Sequence, residues 1–168
     1  MTVRLSPGKN APAHDLIMTP SELAREIVAY FDPSGRCLDP CRGKGAFYDA
    51  LRGWPGCEVD WYELAEGRDF LQGAFRIDYD WLITNPPWSK LRLFLLKAMG
   101  VAENVVFLAT ITHFVTRARL RDVHAAGFGF KTILLVPQPP APWPGAGFQL
   151  AAVHLRRGWC GEMRWDQL

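Results

Sequence analysis

The sequence predicts an α/β domain built on a mostly parallel sheet, and three observations carry that prediction. Short β-type runs alternate with helical stretches along most of the 168 residues, which is the pattern of strand-helix-strand units. A strand running into a glycine-rich turn and then a helix, over 38–47, has the form that open α/β sheets use to bind ligands. The run Leu82-Ile83-Thr84-Asn85-Pro86-Pro87-Trp88 ends a strand abruptly, because proline fixes φ and has no N–H to give to a neighbouring strand.

Taken in order, residues 1–12 mix Ser, Pro, Gly, Lys and Asn with few apolar positions, so 1–14 read as a flexible N-terminal arm. Thr19-Pro20-Ser21-Glu22 combines an N-cap Thr, a Pro at the first helical position and a Glu at N3, and runs into Leu23, Ile27, Val28 and Phe31; this predicts a helix over 20–31. Strands follow at 36–39, 58–63, 81–84 and 104–109, and helices at 46–52, 91–99 and 117–125. Two further runs, 131–136 and 149–155, flank a proline-rich loop at 137–147 and read as a closing antiparallel pair. Between Glu63 and Trp81 an expected third strand and its helix are compressed into 67–80. With 49% hydrophobic residues, positions 15–168 have the size of one domain around one core.

Composition narrows the function classes. A net charge of +2 gives a weak overall field, so a polyanion has to be held by a local basic face. Cys37, Cys41, Cys57 and Cys160 form neither a C-x-x-C pair nor a metal-ligand cluster, and no signal-peptide pattern precedes them; the expectation is a reduced, cytoplasmic protein without a metal. The longest apolar runs have strand length, so no membrane span is expected.

Two constellations carry chemistry. In the first, Asp39-Pro40-Cys41-Arg42-Gly43-Lys44-Gly45 places two glycines where the backbone can approach a ligand, with the N–H groups of the next helix beyond them. Asp39 at the strand end suits a ligand with an ammonium group. Glu63, about 20 residues on, ends the next strand and suits a ribose diol. Asp69-Phe70 follows, with a carboxylate for an adenine amino group and a ring to pack against the base. Each of these has a structural reading as well: a tight turn needs glycine, and Phe70 suits a core.

The second is Asn85-Pro86-Pro87-Trp88. An exocyclic amine or an amide nitrogen is a poor nucleophile because its lone pair is delocalised. If the Asn85 side-chain oxygen and the Pro86 carbonyl each accept one of its N–H groups, the nitrogen is biased toward sp3 and its lone pair can be aimed. Trp88 offers a face for a planar target, worth about 1–3 kcal/mol per base.

At these residues the chain resembles the class I Rossmann-like amino-methyltransferases, above all the gamma-type DNA adenine N6 methyltransferases. Asp39-Pro40 with Gly43 and Gly45 is similar to their cofactor loop, Glu63 to the ribose ligand, Asp69-Phe70 to the adenine-edge motif, and Asn85-Pro86-Pro87-Trp88 to the catalytic motif. Thr19-Pro20 looks like the N-terminal cofactor motif, and the order of the motifs is that of the gamma type. The resemblance implies a mostly parallel seven-stranded sheet with helices on both faces and an antiparallel last strand. It also implies S-adenosylmethionine as cofactor, with Asn85 touching it too, and direct in-line methyl transfer. No separate target-recognition domain is legible, so recognition is expected from loops or from a protein partner.

If the acceptor is a base in nucleic acid, with DNA the first expectation, it must be flipped out and held between aromatic faces. Trp88, Trp143 and Phe148 are the candidates, and Lys90, Arg92, Arg117, Arg119 and Arg121 are candidates for phosphates. Trp143 and Phe148 equally suit loop or core packing, and His113 reads as structural. Two alternatives stay open: a glutamine-amide or RNA-base amino-methyltransferase with the same catalytic turn, and a non-catalytic cofactor- or nucleic-acid-binding subunit.

Overall fold

A computed structural model of the chain describes residues 15, 17–75, 78–143 and 149–168. Its strands are β1 (Gly35–Asp39), β2 (Cys57–Trp61), β3 (Tyr79–Thr84), β4 (Ala102–Thr110), β5 (Phe128–Leu135), β6 (Leu150–Arg157) and β7 (Arg164–Gln167), and its helices are α1 (Ser21–Phe31), α2 (Ala46–Arg52), α3 (Leu91–Val101) and α4 (Arg117–Ala125). The strands form one seven-stranded sheet in the order β2-β1-β3-β4-β6-β5-β7. Only β6 runs against its neighbours; the other ladders are parallel. From β1 the chain moves outward to β2 on one side and then returns to place β3 on the other, which makes the β1–β3 boundary the topological switch point where such sheets open a crevice.

The two-residue period of the strands sorts the core onto two faces. Leu38, Leu82, Val105 and Phe107 pack with Leu95 and Met99 of α3 and Val123 of α4. Their sequence neighbours Cys37, Ile83, Val106 and Leu108 pack with Ile27 and Val28 of α1 and Leu51 of α2. Helices therefore cover both faces, and the central strands read as continuous apolar runs because neither side meets water.

Four details differ from the sequence reading. Helix α1 begins at Ser21 behind Pro20 with no side-chain cap, because the Thr19 hydroxyl, expected to cap it, is engaged by Asn85. Strand β2 stops at Trp61, and Glu63 turns back to accept from Ala65 N–H at 3.0 Å, capping a short 3-10 turn at Leu64–Glu66. Among the described residues between β2 and β3 no further strand or helix of the expected kind forms. Phe70, Phe75 and Tyr62 cluster edge to face there instead. Finally, β6 is followed by the short parallel strand β7, whose mixed sequence RWDQ has no apolar alternation to announce it. It is tied to α1 by Tyr30 Oη donating to Asp166 at 2.9 Å. The arm over 1–14 lies outside the described residues, and no described helix is long and apolar enough to cross a membrane.

Candidate functional site

A cavity of about 320 Å³ opens at the C-terminal edge of the sheet beside the switch point, within the size range of small-molecule sites. Thr19, Pro40, Gly43, Glu63, Asp69, Phe70, Asn85, Pro86, Pro87 and Lys90 all line it. The structure thus brings together residues spread over most of the chain that the sequence singled out separately.

Other expected residues stand behind the wall. Asp39 is buried under the glycine-rich turn, where its Oδ1 accepts from Thr84 Oγ1 at 2.7 Å and from Cys41 N–H at 3.2 Å. Burial pushes its carboxyl up to about 6, hydrogen bonds from Thr84 and from the Cys41 and Tyr48 N–H groups pull against that, and the Glu63 charge adds to it. Asp39 is therefore the anchor of the turn. Gly45 is buried as the residue before α2 at φ 96°, a conformation that favours glycine. Pro20 is exposed at the start of α1. Trp143 is buried in the core, donating its indole N–H to the Met18 carbonyl at 3.2 Å. Phe148 lies outside the described residues.

The glycine turn and the acidic residues are locked to one another. Gly43 N–H donates to Glu63 Oε2 at 2.7 Å, so the glycine-rich turn and the carboxylate just past β2 form one wall. Asp69 Oδ1 accepts from Leu71 N–H at 2.8 Å, which turns the chain so that Phe70, stacked on Phe94 at 5.4 Å, still reaches the cavity. The lining Cys41 thiol is pushed well up by burial and by the Asp39 charge, which disfavours the thiolate.

Around the double-proline turn, Asn85 Nδ2 donates to Thr19 Oγ1 at 3.2 Å and, at 3.5 Å, to the Ile17 carbonyl. Its Oδ1 accepts from Trp88 Nε1 at 3.3 Å. Trp88 is half-buried next to the cavity, with Trp143 at 6.1 Å and His113 at 5.8 Å from its ring. Burial and the Arg119 charge push the His113 imidazole down, which favours its neutral form.

Of the candidate phosphate ligands, Arg92 makes a two-pronged pair with Asp122 at 2.8 and 2.9 Å. Arg119 turns inward to Asp122 and to the His113 carbonyl. Lys90, Arg117 and Arg121 remain exposed.

The sequence did not single out Asp15, Ile17, Met18 and Leu64 as cavity residues. Asp15 reaches the segment just past the double-proline turn, accepting from Ser89 N–H at 3.0 Å and from the Ser89 hydroxyl. No spacing rule links positions 74 residues apart. Leu64, 65% exposed, follows Glu63 directly, and its place next to that carboxylate was its only signal in the sequence.

No protein-family model and no curated protein matches the sequence. Solved structures do match. A Listeria monocytogenes protein assigned to the class I S-adenosylmethionine-dependent methyltransferases superposes with a TM-score of 0.71 at 14% identity, over 95% of this chain and 68% of that one. The fold is that of the class I methyltransferases. Two further matches to this methyltransferase fold are a protein from Pyrococcus horikoshii assigned as an RNA methyltransferase (TM-score 0.58, 20% identity, 84% of this chain and 82% of that one), and a modification subunit from Vibrio vulnificus assigned to a type I restriction enzyme (TM-score 0.63, 16% identity, 95% and 48%). The chain spans about half the length of that subunit.

Proposed function

We propose that the chain is an S-adenosylmethionine-dependent amino-methyltransferase whose acceptor is the N6 amino group of adenine in DNA. The observation that carries this reading is the turn itself: Asn85, Pro86 and Pro87 share one cavity with Gly43, Glu63 and Asp69. The chemistry of the lining fits the cofactor. Carboxylates of Asp15, Glu63 and Asp69 suit a ligand bearing an ammonium, a sulfonium and a diol, while Leu64, Phe70 and Leu71 suit a flat base. Gly43 supports the fit, because its φ of 52° and the Met18 sulfur 3.0 Å from where a Cβ would stand leave the loop bare.

When bound, the cofactor supplies an electrophilic methyl group. The protein's part is positioning. The Asn85 oxygen and the Pro86 carbonyl accept the two N–H groups of the acceptor, which frees its lone pair from the ring and fixes its direction. Lys90, exposed and lining the same cavity, supplies a positive charge beside this pair. As the nitrogen takes the methyl group the cofactor's sulfur would keep the C–S bonding pair, and the methylated nitrogen, now positively charged, gives up one of its own two protons to water, so no strong base is needed.

The fold match to a type I modification subunit supports DNA as acceptor and a protein partner that reads the target. The match to the P. horikoshii protein, of which this chain covers 82%, favours RNA as the second reading. The test is a screen of DNA, ribosomal RNA and peptide acceptors with labelled cofactor, read by nucleoside and peptide mass spectrometry. N6-methyladenine in DNA is the expected product. Label confined to RNA or peptide would move the acceptor, and cofactor binding without turnover on any acceptor would make the chain a binding subunit.

A further inference from the structure

The Asn85 side chain is an amide, so it can present either an oxygen or an NH2 group to whatever enters the cavity, and only the oxygen can accept from an amino group. Its surroundings settle which. The Ile17 carbonyl can only accept, so the amide atom facing it at 3.5 Å must be Nδ2. The Trp88 indole N–H can only donate, so the atom facing it at 3.3 Å must be Oδ1. The Thr19 hydroxyl, which could do either, accepts from Nδ2 at 3.2 Å. Both Nδ2 hydrogens are thereby committed, and the hydrogen-bonding capacity left on the amide is a lone pair on Oδ1.

The segment that supplies these partners is itself fastened to the site at two other points. Asp15 holds Ser89 just past the turn, and the Met18 carbonyl receives the Trp143 indole N–H. Residues 15 and 17–19 therefore form a strap whose register against Asn85 is fixed on both sides. Trp88, in turn, has its ring beside Trp143 and His113 and its N–H on Asn85, which is a different use of the residue from stacking on a base.

From this geometry we infer that Thr19 and Trp88 are positioning residues: with the Ile17 carbonyl they lock the Asn85 amide in the orientation that accepts. The inference deepens the proposed function and rests on it for its catalytic consequence, but the orientation itself can be measured without catalysis.

The experiment uses the full chain labelled with 15N and follows the Asn85 side-chain amide by NMR without cofactor, in the wild type and in Thr19→Val, Thr19→Ser and Trp88→Phe. Methyl transfer to the acceptor found in the screen is measured beside it. In the wild type the two amide protons resonate apart from those of exposed amides and exchange slowly. Thr19→Val and Trp88→Phe move them toward the exposed position. Each lowers kcat on the order of tenfold, the effect of one lost hydrogen bond on a reacting geometry, with the acceptor KM unchanged. Thr19→Ser keeps both readouts. Trp88→Phe keeps an aromatic face, so a fall in kcat there separates positioning from stacking. Unmoved Asn85 resonances in both variants, or moved resonances with an unchanged kcat, would overturn the inference. A wild type that methylates nothing would instead remove the functional reading and leave the NMR result standing.

Discussion

Replacing Asp39 with Asn tests the electrostatics beneath the site. Asp39 is fully buried, and burial lifts its carboxyl from an ordinary value of 3.8 to about 6. For an acid whose folded value is raised, the native state holds a proton that the unfolded chain has already lost between about pH 4 and 6. Stability therefore falls as pH rises through that window and is level above it. The span corresponds to about 3 kcal/mol. Asparagine is neutral at every pH, keeps an oxygen for Thr84 and Cys41, and puts its NH2 where the buried, unpartnered Oδ2 of Asp39 stands. The assay is urea unfolding of both proteins from pH 4 to pH 7.5. The variant's stability minus that of the wild type should climb by about 2.5 kcal/mol between pH 4 and 7, whatever its absolute offset. A difference that stays flat across that range would refute the account of Asp39 as a buried, costly charge.

Two other substitutions probe the walls. Gly43→Ala places a Cβ on a residue at φ 52° and 3.0 Å from the Met18 sulfur; it should cost about 1–2 kcal/mol of stability and weaken S-adenosylmethionine binding in calorimetry, whereas unchanged affinity would show that the loop has room to spare. Lys97→Met keeps an apolar stem but removes the ammonium that donates to the Leu71 and Gly73 carbonyls at 2.7 Å each. That should lower the urea-derived stability by about 2 kcal/mol and loosen the turn that presents Asp69 and Phe70. A midpoint equal to the wild type would show the two bonds to be replaceable by water.

Much of this site was legible because its residues sit at element ends that the sequence marks strongly. The strand-glycine-helix passage through Asp39, Gly43 and Gly45 and the double-proline exit after Asn85 are local signals, and both ends fall on the same sheet edge once the strands are parallel. What was not legible depends on tertiary contact. Asp15 and Ser89 carry no local signal for each other. Thr19 reads as a helix cap because Thr-Pro-Ser-Glu is a capping sequence, yet its hydroxyl finds a better-placed partner in Asn85 across the fold. Trp88 reads as a stacking face because an aromatic ring is all the sequence shows; its indole N–H acquires a role only when Asn85 is beside it. The stretch between Glu63 and Trp81 misled for the opposite reason, since the strand-helix alternation called for a strand and helix where the aromatic rings pack together instead.

The central claim is that Asn85 acts on the acceptor and is dispensable for holding the cofactor. Its most direct test pairs S-adenosylmethionine calorimetry with nucleoside mass spectrometry of DNA incubated with the wild type and with Asn85→Ala. The account predicts that the variant binds cofactor within a few-fold of the wild type and that its yield of N6-methyladenine falls by at least a factor on the order of 100. An Asn85→Ala protein that methylates adenine at the wild-type rate would contradict it.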